Sequence, residues 1–527
     1  MNAASDHLLM GPILLPLVAA SGMLLLDERR RALKSLLSLA VMAAVLAMAA
    51  LLLVEGGDAA GETARVYRLG DWRAPFGIVL VADRLSALFL AMTAVVGACG
   101  LLFALARWER AGPRFHALFL LLIMGVNGAL LTGDLFNLFV FFEVMLAASY
   151  ALVLHGSGES RIRAGLGYIT INLTASLLFL VGVALIYGVT STLNMADLAA
   201  RAPLIPAEDR WLFHVGAATL GVAFLIKSAA WPLGFWLAPT YTAASAPAAA
   251  VLAILSKVGV YVLIRQSSLV FSPLAGPSAE FGREWLVAIG VATILFGVCG
   301  MLASRELARA AAFAVVVSSG TVLAMMGSDA AGLSAALFYL VGSTLACSAL
   351  FLIAEVLERG RDGGGDSHKA VFADEYRDPF EDLERNEPGL VIPTAVAALG
   401  GALVVCALMI AGLPPLAGFI GKLAMMQALV AAGRPTDWAV IAALAVSSLG
   451  AVIALGRLGV RAIWIRDESE PQLVVGAGEL LGIVGLLGAS LTLTVFGGAG
   501  LAYTDLTAAW LGEPAGYMSS VLTGEGR

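Results

Sequence analysis

GVAFLIKSAAWPLGFWLAPTYTAASAP, residues 221–247, decides how the chain is read. It opens as an apolar run, carries Lys227 inside that run, and is then interrupted by Pro232, Gly234, Pro239 and Pro247. Proline removes a backbone donor and clashes with the preceding turn, so no helix runs through this stretch unbroken. The apolar segments around it are nevertheless of the length that crosses a hydrocarbon core. Irregular backbone at that depth is tolerated only where it is buried in protein or lines a wet cavity. The stretch therefore predicts a discontinuous membrane helix beside a hydrated route. AGLPPLAGFIGKL, residues 411–423, has the same parts, with Gly412, Pro414, Pro415 and Gly418 just ahead of Lys422.

Outward from these two breaks the chain is apolar nearly throughout. Of 527 residues 60% are hydrophobic and 13% charged, and the mean hydropathy is +0.91, outside the range of soluble multidomain chains. Apolar windows fall near residues 8–26, 33–54, 78–106, 114–131, 134–155, 165–190, 213–237, 242–265, 285–303, 308–327, 331–357, 391–432, 438–463 and 474–498. This predicts an all-α integral membrane protein of about fourteen transmembrane helices, with spans seven and twelve discontinuous. No Lys or Arg precedes the first window and Arg29, Arg30, Arg31 and Lys34 follow it, the charge order of a retained span rather than a signal peptide.

Basic residues outside the spans gather on one side: Arg29 to Lys34, Arg107, Arg110, Arg114, Arg161, Arg163, Arg305, Arg309, Arg359 to Arg385, and Arg457 to Arg466. By the positive-inside rule that side is the cytoplasm, and both termini face outward. The charged stretch 358–389 on that side reads either as a docking or gating surface or as a solvated linker with a Gly-rich start.

Composition also excludes several functions. A net charge of -6 and a pI near 5.5 leave no case for nucleic acid as a partner. Cys99, Cys299, Cys347 and Cys406 are isolated in apolar stretches with no nearby histidine, so no metal site or cofactor is expected. No nucleophile triad or phosphate-cradling loop points to an enzyme, and no catalytic residue is assigned. His7, His116, His155, His214 and His368 lie near span ends or in loops, where surface or interfacial roles are expected.

Four ionisable residues stand deep in apolar windows: Glu143, Lys227, Lys257 and Lys422. Each costs roughly 2.5 to 3.5 kcal/mol to insert at mid-helix, so together they rival the net stability of a typical fold. A purely structural role explains such an expense poorly. Arginine stays protonated, whereas a buried lysine can give up its proton, so these lysines are the expected relay stations of a proton pathway. Grouping spans four to eight and nine to thirteen puts a break in the fourth helix of each set. A repeat of five forces opposite topology, the pattern of inverted transporter repeats. The expected units are residues 1–113, a first repeat over 114–266, a second over 285–466 that includes the loop 358–389, and 467–527 with the last span and a short tail.

These motifs carry a family resemblance. TGDLFNLFVFFEVMLAASYALVLHG around Glu143, GVAFLIKSAAWPLGFWLAP around Lys227, SKVGVYVLIR around Lys257 and GLPPLAGFIGKL around Lys422 resemble the antiporter-type subunits shared by Mrp cation/proton antiporters and respiratory complex I. The likeness includes the D-type subunits of Mrp (Pha-type) antiporters, and DERRRALKSLLSLA, ADRLSALFL and DEYRDPFEDLERNEPGLVIP extend it over nearly the whole chain. The resemblance implies fourteen helices with inverted repeats, a Glu143–Lys227 pair, and a polar axis completed by Lys257 and Lys422. It also implies hetero-oligomeric partner subunits and exchange of protons for Na+ or K+ across the lipid bilayer of a bacterial cytoplasmic (inner) membrane. One departure stands out. Relatives often carry a histidine in span eleven, where ALFYLVGSTLACSALFL has Gly342. A relay from Lys257 to Lys422 would then use Ser318, Ser319, Tyr339, Ser343 or Thr344. An antiporter-like subunit of complex I or of a membrane-bound hydrogenase, and a structural scaffold subunit, are the alternatives.

Overall fold

The computed structural model describes residues 7–57, 64–359, 393–464 and 475–523. The charged stretch 358–389 lies outside these apart from Glu358 and Arg359. The chain is mostly helical. In chain order the helices are α1 (Gly11–Leu24), α2 (Arg31–Gly57), α3 (Arg84–Ala106), α4 (Phe115–Leu131), α5 (Leu135–Val153), α6 (Glu159–Thr190), α7 (Met195–Arg201), α8 (Arg210–Lys227), α9 (Leu237–Ala243) and α10 (Ala246–Leu269). They continue with α11 (Arg283–Ala303), α12 (Leu307–Met325), α13 (Ala330–Arg359), α14 (Pro393–Ala411), α15 (Ala417–Ala432), α16 (Pro435–Trp464), α17 (Ala477–Val495), α18 (Gly497–Gly512) and α19 (Pro514–Leu522). Among the described residues ten helices are long and apolar enough to cross a membrane, and four shorter apolar helices accompany them.

Polar side chains at the boundaries set where helices begin. Asp83 accepts the Ser86 N–H at 3.0 Å while Ser86 Oγ accepts the Asp83 N–H at 2.8 Å, a capping box at the start of α3. Asp134 accepts the N–H groups of Phe136 and Asn137 at 2.8 and 2.9 Å and starts α5 in the same way. Ahead of α3 the chain forms a short antiparallel hairpin of β1 (Arg65–Arg68) and β2 (Val79–Ala82), so the first residues of the apolar window 78–106 are strand rather than helix.

Burial orders the bundle. The most apolar window of α10 is wholly buried, and those of α13 and α12 are 94% and 89% buried, whereas α2 and α17 reach only 28%. The innermost layer is therefore α10, α12 and α13, and Lys257 sits midway along the most enclosed helix of the molecule.

Both expected interruptions are present, and they are built alike. Between α8 and α9, residues 228–236 leave the helix; Pro232 and Gly234 lie in the gap, and Pro239 falls in the first turn of α9, where its missing N–H costs no helix bond. Between α14 and α15 the gap is 412–416, containing Gly412, Pro414 and Pro415, with Gly418 in the first turn of α15. A threonine from another helix caps each break: Thr293 Oγ1 of α11 accepts the Trp231 N–H at 2.9 Å, and Thr494 Oγ1 of α17 accepts the Ala417 N–H at 3.0 Å. Each break also needs one glycine for close approach. A Cβ at Gly234 would stand 2.1 Å from the Ala229 carbonyl oxygen, and one at Gly418 2.0 Å from that of Met409.

The segment after the last long span, read from sequence as a short tail, folds into α18 and α19. These pack over a fully buried ion pair. Arg265 of α10 donates to both carboxylate oxygens of Asp83 at 2.6 and 2.7 Å, Trp510 Nε1 donates to Asp83 at 3.3 Å, and the Tyr517 ring lies 5.1 Å from the guanidinium. A bidentate pair closed by aromatic rings is geometry in which a buried charge stays compensated, and it pins the C-terminal helices to α3 and α10.

Candidate functional site

Lys227 is the last residue of α8, at the edge of the first break. Its side chain is buried, with Nζ 3.5 Å from Ser176 Oγ of α6 and 4.9 Å from the centre of the Phe142 ring. The Ser176 hydroxyl in turn donates a short hydrogen bond to the Glu143 carboxylate of α5. Lys227 and Glu143 are thus joined through a serine rather than by a direct salt bridge. Glu143 is half-buried, unlike the lysines.

Lys257 is completely buried in α10 and donates to the Val315 carbonyl at 3.1 Å and to Ser319 Oγ at 2.9 Å, both on α12. Its helix crosses the first break at close range, since a Cβ on Gly259 would meet Ser228 Oγ at 2.6 Å. Among the described residues no hydrogen bond joins Lys227 to Lys257.

Lys422, on α15, is held by four neutral acceptors. Its Nζ lies 2.9 Å from Ser448 Oγ and 3.1 Å from Ser447 Oγ, both on α16, and 3.2 and 3.4 Å from the carbonyl oxygens of Ala411 and Ile410. The two carbonyls belong to the last turn of α14 and are freed by the break, so the lysine caps the helix end that the prolines leave open. Its Nζ is also 5.9 Å from the centre of the Tyr339 ring.

Between Lys257 and Lys422 the five candidate relay residues separate into two groups. Ser319 touches Lys257, its neighbour Ser318 makes a 2.7 Å hydrogen bond with Ser343 of α13, and Tyr339, one turn from Ser343, lies beside Lys422. Those four form a discontinuous polar string across α12 and α13. Thr344 instead donates back to the Leu340 carbonyl of its own helix at 2.7 Å. At Gly342 a Cβ would meet only ordinary contacts, 3.5 Å from Leu493 and 3.7 Å from Ala417.

Sequence reading missed Ser176, Ser447 and Ser448. A Ser-Ser pair in the middle of an apolar span is the one signal available, and it occurs at 447–448 as well as at 318–319. Nothing local marks Ser176. Two of the histidines with expected surface or interfacial roles are buried: His155 faces the Trp108 carbonyl at 2.9 Å and His116 faces Ser38 Oγ at 3.0 Å.

Comparison with known proteins places the chain among relatives. Residues 132–450 match the family described as NADH:quinone oxidoreductase/Mrp antiporter, transmembrane. The chain is 48% identical to the D-type subunit of a probable K(+)/H(+) antiporter of Rhizobium meliloti over 98% of both chains. It is 32% identical to the D-type subunit of a Na(+)/H(+) antiporter of Alkalihalophilus pseudofirmus over 98% of this chain and 99% of the relative. A chain of the Mrp complex from a Dietzia species superposes with a TM-score of 0.81 at 26% identity, covering 99% of this chain and 100% of that one. A chain of respiratory complex I from Thermus thermophilus shares the fold, with a TM-score of 0.74 at 22% identity over 96% of this chain and 99% of that one.

Proposed function

The chain belongs to the NADH:quinone oxidoreductase/Mrp antiporter transmembrane family, and on that footing we propose that it is the proton-translocating subunit of a multi-subunit Na+(K+)/H+ antiporter in a bacterial inner membrane. The observation that carries the reading is the set of three lysines, each at most 5% exposed and each served by hydroxyls, carbonyls or a serine-bridged carboxylate. A permanent cation would be costly in these surroundings, while a group that gains and loses a proton uses them.

In this mechanism the proton enters beside Lys227. While Glu143 stays coupled through Ser176, the ammonium form is favoured; when that coupling loosens, the proton passes on toward Lys257. From there Ser319, Ser318, Ser343 and Tyr339, with water, carry it to Lys422 at the second break. Na+ or K+ crosses elsewhere in the complex. Relatives named as K(+)/H(+) and Na(+)/H(+) antiporter subunits support the coupling, and favour it over the redox-driven alternative.

The partial exposure of Glu143 supports a neighbouring subunit. Phe136 and Val140, two turns and one turn earlier on α5, are 52% and 42% exposed, so the carboxylate stands within an open stripe at membrane depth. Hydrocarbon does not accommodate such a group, whereas a partner helix can.

The test is cation-driven proton movement in everted vesicles carrying the whole complex with Glu143→Ala, Lys227→Ala or Lys422→Ala. Each substitution is expected to abolish antiport while leaving assembly of the complex intact. Wild-type rates in all three, with normal assembly, would refute the proton-path reading.

A further inference from the structure

At the end of the bundle where basic residues gather, a cavity of about 290 Å³ opens between the end of α1, the start of α2 and the turn into α4. Its walls carry Arg31, Lys34, Arg110 and Arg114 against two carboxylates, Glu28 and Glu109, an excess of two positive charges.

Both carboxylates are occupied by the protein itself. Glu28 accepts Lys34 Nζ at 2.8 Å and the Arg114 N–H at 3.5 Å. Glu109 accepts the Ser35 hydroxyl at 2.8 Å and stands 3.3 Å from His116 Nε2. Burial opposes ionisation of both, but Lys34 and Arg114 hold the Glu28 carboxyl below the usual range. His116, Ser35 and Arg110 do the same for Glu109. The two negative charges are therefore fixed in place and already used. The guanidiniums of Arg31, Arg110 and Arg114 have no side-chain hydrogen bond or salt bridge among the described residues. Arg114 is also held in the left-handed region at φ 63, unusual for a residue with a side chain and a mark of imposed geometry.

The surroundings decide which anion fits. Met23, Leu24 and Phe115 line the apolar side of the cavity, and the flank beside it exposes Leu24 (52%), Leu25 (89%), Leu33 (39%) and Leu36 (65%). A basic cup beside exposed leucines at the ends of two apolar helices matches a molecule with a phosphate at one end and acyl chains at the other. Basic pockets between transmembrane helices on the cytoplasmic side have this use. We propose that this cavity binds the phosphate of an anionic phospholipid, with Arg31, Arg110 and Arg114 as ligands and the acyl chains laid along the exposed leucines of α1 and α2.

The experiment is native mass spectrometry of the delipidated intact complex titrated with cardiolipin, compared with Arg31→Gln/Arg110→Gln/Arg114→Gln in this chain. Binding is expected to weaken on the order of a hundredfold, from about fivefold per basic residue at a membrane surface. Arg29→Gln/Arg30→Gln, in the adjoining turn but outside the cavity walls, should leave binding within about twofold. If the triple variant fails to assemble, Arg110→Gln alone is read, with a loss of about fivefold expected. Unchanged affinity in the cavity variants, or equal loss in the control pair, would overturn the proposal. Displacement of cardiolipin by excess inorganic phosphate would replace the lipid with a free anion and overturn it equally.

Discussion

Lys227 and Lys422 each sit beside a helix break that contains proline, yet they are wired differently. Lys227 communicates with a carboxylate through one serine hydroxyl. Lys422 has two serines and two carbonyls within 3.4 Å and no salt bridge among the described residues. A carboxylate supplies a counter-charge that can be strengthened or withdrawn by a small movement, whereas neutral acceptors solvate an ammonium without that control. On the proposed proton path, this difference would give the switch to the half with Glu143 and the receipt and release of the proton to the half with Lys422.

Breaking the serine bridge should have the largest effect short of removing a charge. Ser176→Ala deletes the hydroxyl shared by Lys227 and Glu143, and hydrogen bonds to charged groups contribute about 1.5 to 3 kcal/mol. Antiport rate in vesicles should fall about 10- to 100-fold with assembly unchanged. A rate within twofold of wild type would mean that Glu143 and Lys227 do not act through this contact.

In the second half, Ser447→Ala combined with Ser448→Ala removes two acceptors but leaves the Ala411 and Ile410 carbonyls. The rate should fall less, by about five- to tenfold, because the ammonium keeps partial solvation and loses no counter-charge. A larger loss here than for Ser176→Ala would reverse the assignment of the two halves. The smallest effect belongs to Gly342→Ala. Its Cβ would meet side chains no closer than 3.5 Å, and alanine is favoured over glycine inside a helix by up to about 1 kcal/mol. Thermal stability of the complex should hold or rise slightly, with antiport unaffected; a marked loss would show that the space at Gly342 is needed by something mobile, such as relay water.

Much of this comparison was legible in the sequence. Spans announce themselves because hydrocarbon demands long apolar runs, and the three lysines and Glu143 announce themselves because each is expensive there. The breaks were visible because proline and glycine act locally. The partners were not. Ser176, Ser447 and Ser448 are ordinary serines whose importance arises from which helix faces which, and their separations from Lys227 and Lys422 are 51, 25 and 26 residues. The Asp83–Arg265 pair joins residues 182 apart, and Arg265, at the far end of its span, reads as a snorkelling cation until Asp83 is seen against it. The hairpin at 65–82 and the folded tail escaped for a related reason, since neither has a periodic pattern strong enough to outweigh its short length.

The claim that Lys227 carries a proton, rather than merely a charge, is tested most directly by Lys227→Arg in the intact complex, with proton flux followed by a pH-sensitive dye in everted vesicles. Arginine keeps the positive charge beside Ser176 and Glu143 but stays protonated. The account predicts an assembled complex without antiport. Antiport at the wild-type rate would contradict it, because a permanent cation at this position would then suffice.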